Sequence, residues 1–121
     1  MILLISQPER VFYLCLEIPQ GMGMNEEEII RRILDGCRRF VPVAEREYGI
    51  YDADIRMSLD EEGNYVLKVR VEGTHGEASY KTPMFKRMDI ERGWIEEHDI
   101  EEFIDFCTRV VRRLSDLVTR D

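Results

Sequence analysis

The stretch Gly21-Met22-Gly23-Met24-Asn25-Glu26-Glu27-Glu28 has the outline of a phosphate-holding turn: paired glycines after an apolar run, opening into a helical pattern. Such turns grip phosphates because backbone N–H groups converge on the anion at a helix N-terminus. The residues present oppose that chemistry. A dinucleotide fingerprint needs a third glycine where Glu26 stands, and a P-loop ends in a lysine that the stretch lacks. Glu26, Glu27 and Glu28 would repel the phosphate and complement the helix dipole themselves. The pattern instead predicts a helix start, with Asn25 as N-cap, Glu28 completing a capping box and Met24 stapled to Ile29. No nucleotide or other cofactor is expected.

The two histidines, His75 and His98, are the remaining candidates for acid–base work. His75 lies in a glycine-flanked "EGTHGEA" segment, and His98 precedes Asp99 at the start of the last helix. Cys107 or Ser79 could serve as nucleophile beside one of them, but no GxSxG elbow accompanies either. His98, Asp99 and Glu102 do not have the paired-histidine spacing of a zinc site, so no metal is expected. The acidic turn "DEEGN" is not an EF-hand loop. Cys15, Cys37 and Cys107 are widely spaced among apolar residues, which predicts buried inert thiols and no disulfide framework.

The arginine pairs Arg31–Arg32, Arg38–Arg39 and Arg112–Arg113 invite a nucleic-acid reading. Glu27, Glu28, Asp35 and Asp105 each precede an arginine by four residues, the favourable order for helix ion pairs, and predict solvated, internally paired faces. Arg38, Arg39 and Arg46, around Pro42, form the least neutralised patch and are the candidate anion contacts. The chain has 121 residues and a formal net charge of −8. A surface this acidic repels phosphate backbones and anionic lipid, which excludes a general nucleic-acid or membrane binder. Abundant Glu and Arg with few amides suit surface ion-pair networks and a thermophilic source.

Aromatic residues carry the last chemical signal. Tyr48, Tyr51, Tyr80, Phe85 and Trp94 fall in loops, bends or sheet rims rather than on clear core stripes. Tyrosine and tryptophan are enriched in binding hot spots, which makes Tyr48, Tyr51 and Trp94 the interface candidates.

The elements that would position these residues follow from periodicity. "MILLIS" and "RVFYLCLEI", separated by a segment containing Pro8, read as an N-terminal hairpin, the first strand being central or helix-covered because both its faces are apolar. Ile29, Ile30, Ile33, Leu34, Cys37 and Phe40 form one stripe of a helix over 25–40, ended or kinked by Pro42. "DIRMSL" and "YVLKVRVE" alternate as a hairpin closed at Gly63. "EASYKT" and "MFKRMDI" predict one or two further strands, with Pro83 at an edge or bend. A broad apolar stripe from Ile100 to Val118 predicts a final helix, capped by Asp99 with Glu102, that covers a sheet face.

The sequence therefore describes an α+β fold in two layers, mainly antiparallel, in the order ββ-α-ββ(β)-α, as a single domain over 1–121. The apolar run Met1–Ile5 is far too short to span a bilayer and lacks the flanks of a signal peptide, so the expected compartment is the cytoplasm. The expected function is a non-catalytic protein-interaction module: an acidic adaptor, an inhibitor or immunity-type protein, or an oligomer subunit. Its partner would be another protein or a second copy in a homodimer. The alternative is a small hydrolytic enzyme using His75 or His98 with nearby carboxylates.

Overall fold

The structure, a computed structural model, describes residues 25–120 in full and the backbone of residues 2–6 and 9–14. The chain is an α+β protein in the predicted order. Strands β1 (Ile2–Ser6) and β2 (Glu9–Leu14) form the expected antiparallel hairpin, Ile2 opposite Leu14 and Ser6 opposite Glu9. The two make a sheet of their own, so β1 is not a central strand. Pro8, Cys15 and the glycines Gly21 and Gly23 lie outside the described residues, as does Met24 of the expected staple.

Helix α1 (Glu26–Arg38) begins where its cap places it. Asn25 is extended, and its Oδ1 accepts the Glu28 N–H at 2.8 Å, a cap worth about 1 kcal/mol. The three glutamates occupy the first turn. Ile29, Ile33 and Cys37 are buried, with Ile30, Leu34 and Phe40 packed at the margin. A short helix α2 (Val41–Tyr48) follows, Pro42 sitting in its first turn where no N–H partner is lost. Gly49 ends it in the left-handed conformation at φ 74°.

Strands β3 (Asp52–Leu59), β4 (Asn64–Gly73) and β5 (Gly76–Lys86) form an antiparallel sheet in the order β3-β4-β5. Alternation sends Tyr65, Leu67, Val69 and Val71 of β4 to one face, all buried. The opposite face carries charge, paired as Arg56 with Asp54 and Arg70 with Glu77. The β3–β4 turn is held by Asp60, whose carboxylate accepts the N–H groups of Glu62 at 2.9 Å and Asn64 at 2.8 Å. These bonds hold the Asp60 carboxyl below its ordinary range, and the acidic turn is thus a self-capped one.

β5 is a single eleven-residue strand rather than two. Pro83 lies on it beside a register shift: Tyr65 faces Phe85, but Val66 faces Pro83, leaving Met84 as the extra residue. An outer strand with a bulge tolerates proline because no ladder donor is needed there. The segment "RMDI", read as strand, is instead a short helix α3 (Arg87–Glu91). Asp89 accepts the Lys86 backbone N–H at 3.1 Å and closes a capping box, so local capping overrides the apolar alternation.

Helix α4 (Glu97–Thr119) buries Ile100, Cys107, Val111, Leu114 and Val118 against β4 and β5 and against α1. Its start corrects the sequence reading. Asp99 is not the N-cap but the third residue of a box begun by Glu96, whose N–H it accepts at 2.9 Å. The same spacing, shifted three residues back, satisfies one more donor of the first turn. At the other end the Val118 carbonyl accepts the His75 N–H at 2.7 Å, tying the helix C-terminus to the β4–β5 turn.

This end of α4 approaches Gly73 closely. A Cβ on Gly73 would stand 2.7 Å from Val118 Cγ2 and 2.9 Å from the Val118 carbonyl oxygen. The carbonyl is fixed by its bond to His75 and has nowhere to go. Gly73→Ala is therefore expected to destabilise the fold by about 1–3 kcal/mol, the usual cost of overpacking. Urea denaturation checks this, and a midpoint equal to wild type would mean that helix and strand separate easily here.

Candidate functional site

The aromatic candidates separate by their surroundings. Trp94 is 59% exposed and Tyr51 is 62% exposed. Trp94 follows Gly93, which turns the chain at φ 73°, and donates its backbone N–H to Asp89 O at 2.9 Å. The Arg92 guanidinium lies over its indole, 5.0 Å from the ring centre. The turn and the α3 carbonyl thus aim the ring outward, and Arg92 steadies it. Tyr51 joins α2 to β3 and donates its N–H to Glu72 O at 2.8 Å, so its backbone is fixed while its ring is free.

Tyr48 is placed differently. It packs against the core, and its hydroxyl lies 3.5 Å from the Arg112 guanidinium of α4. Arg112 also meets Glu47 at 3.2 Å and covers the Phe40 ring at 4.8 Å. Phe85, grouped with the rim aromatics in sequence, is core: it stacks on Phe103 with ring centres 5.0 Å apart. Tyr80 of β5 stays 43% exposed, tilted against Phe106 of α4 at 6.4 Å.

Arg38, Arg39 and Arg46 lie at the junction of the first two helices. Arg38 is spent on the scaffold, donating to Ile55 O of β3 at 2.8 Å. Arg39 is the C-cap of α1, and Arg46 lies in the last turn of α2, both exposed.

Among the described residues the expected local ion pairs are largely not formed, while arginines of α1 and α3 reach distant carboxylates. Arg32 forms a bidentate pair with Glu97 at 2.5 and 2.7 Å. Arg87 meets Glu26 at 3.2 Å, and Arg31 pairs with Asp35 in place of Glu27. The planar Arg32 fork meets both oxygens of Glu97, a match that a flexible i,i+4 contact lacks. Among the described residues, neither Asp35–Arg39 nor Asp105–Arg109 is formed. Arg109, Arg113, Glu102 and Asp105 make no ion pair there, and Arg109 and Arg113 join Tyr48, Tyr80, Phe106 and Val110 in lining a cleft of about 590 Å³ on α4. No sequence argument pointed to this face, because the i,i+4 spacing suggested that its charges neutralise one another.

The groups of the hydrolytic alternative are scattered. His98 sits at the start of α4 with Nε2 3.3 Å from Asp99 and Nδ1 3.5 Å from Glu96. His75 adjoins Val118, twenty residues further along the helix, or about 30 Å at 1.5 Å per residue. Ser79 is exposed on β5. Cys107 is fully buried, its thiol beside that of Cys37 across the α1–α4 contact. This thiol partner and burial push the Cys37 pKa far up, the opposite of an activated nucleophile. Comparison with protein-family models, curated proteins and solved structures finds no match to this chain.

Two measurements follow. In the folded protein Cys37 and Cys107 should resist iodoacetamide and become alkylated only on denaturation, as peptide mass spectrometry would show; rapid native labelling would reveal an open thiol. The Arg32 fork holds the Glu97 carboxyl below its ordinary range. Its stabilisation is therefore present above the unfolded carboxylate pKa and lost as pH falls through the lower folded value. Glu97→Gln should flatten the acid limb of the stability–pH curve, and an unchanged limb would mean the pair is solvated away.

Proposed function

We propose that this chain is a non-catalytic protein-interaction module acting in the cytoplasm. It binds through outward aromatic side chains while its acidic field steers encounter. The observation that carries the reading is Trp94, a large apolar ring held at 59% exposure by a glycine turn, a backbone hydrogen bond and a cation–π contact. A ring ordered before binding loses little entropy on docking, which is why tryptophan dominates hot spots. Tyr51 offers a second such surface, and exposed Arg39 and Arg46 offer anionic contacts at the helix junction. The partner is another protein or a second copy of the chain.

Trp94→Ala and Tyr51→Ala remove exposed rings and should each change stability by under about 0.5 kcal/mol. Binding should respond far more, Trp94→Ala weakening self-association or partner capture beyond any single Glu→Gln change. Sedimentation of the purified variants, and capture of partners from a lysate of the source organism, provide the readouts. Folded variants that associate and capture as wild type does would overturn the proposal.

A further inference from the structure

The charge pattern of α4 is segregated where a solvated helix would alternate. Glu102, Asp105, Arg109 and Arg113 follow one another at spacings of three and four, so they share a single stripe on the helix surface. All four are exposed, and among the described residues none forms an ion pair. Two carboxylates stand together, then two guanidiniums, and like charges at these spacings destabilise a helix left alone. The helix dipole does not explain the order, because its influence fades within the terminal turns and these residues lie in the interior of a 23-residue helix. Beside the stripe run partly exposed apolar groups: Phe106, with Tyr80 of β5 against it, Val110, and Leu117 at 52% exposure.

We infer that this face is the contact surface for a second copy of the chain, with the two α4 helices antiparallel. The inference rests on the interaction-module reading above and names the partner. A two-fold axis passing near Cys107 and Thr108 sets Asp105 opposite Arg109 and Glu102 opposite Arg113, and symmetry makes each pairing twice. The acidic half of each helix then lies along the arginine-lined cleft of the other. Phe106 and Tyr80 fall beside the axis, giving an apolar centre with charged pairs outside it, as stable interfaces are built. The same operation sets each like-charged pair against the opposite pair of its partner, and the new attractions offset both repulsions. An acidic ligand of another kind would neutralise the arginines and leave Glu102 and Asp105 unmatched, whereas a second copy answers all four.

The test uses two charge variants of the full chain, Arg109→Glu with Arg113→Glu and Glu102→Arg with Asp105→Arg, each checked for folding by circular dichroism. Wild type should sediment as a dimer. Each variant alone presents a stripe of one sign to its copy, and its dimer dissociation constant should rise by about a hundredfold or more. An equimolar mixture should restore a dimer containing one chain of each kind, an outcome that simple damage to the fold does not produce. A monomeric wild type would overturn the α4 pairing, and the interaction reading would then be judged on partner capture by the aromatic variants. A dimer that survives both charge variants but dissociates in Trp94→Ala would also overturn it, while leaving the interaction module in place.

Discussion

The structure depends on covering one face of β4. Its inward residues Tyr65, Leu67, Val69 and Val71 are all buried, and only a helix as long as α4 reaches along them. That demand fixes much else. It requires Gly73 where the helix end meets the strand, and it sets the β4–β5 turn where His75 satisfies the Val118 carbonyl. It also draws α1 in beside α4, with Gly36 so close to Ile104 that a Cβ would stand 2.5 Å from its Cδ1. Cys37 and Cys107 meet at the same seam. The reluctance of Cys37 to ionise is thus a by-product of how tightly the two helices close.

A consequence is a division of labour between the two sides of the molecule. The side facing the sheet is committed to packing and holds Cys37 and Cys107. The outward side of α4 and the α3–α4 turn hold the arginine stripe and Trp94 on rigid elements. The candidate catalytic groups are pulled apart by the same arrangement, since the two histidines mark opposite ends of the longest helix.

Much of this was legible in sequence where the determinant is local. Alternation in β3 and β4, the stripe of α1 and the Asn25 cap depend on neighbouring residues, and all were read correctly. The misreadings arise where two local grammars compete. "MFKRMDI" alternates like a strand, yet Asp89 closes a capping box; Asp99 looks like a cap, yet Glu96 captures that role. The ion pairs were illegible for a different reason. Arg32 grips Glu97, sixty-five residues on, because only the fold brings that bidentate geometry within reach. The candidate sites divide in the same way: Trp94 stands out because a glycine turn is visible beside it, whereas the stripe on α4 emerges only once Asp105 and Arg109 are found unpaired.

The outer strand β5 has a further bearing on how the protein behaves when crowded. A rim of unsatisfied backbone groups is an invitation to polymerise, strand upon strand, into cross-β assemblies. Pro83 deletes a donor from that rim and the Met84 bulge breaks its periodicity. An incoming strand would lose register towards the C-terminal end of β5. The sheet is thereby discouraged from templating fibres.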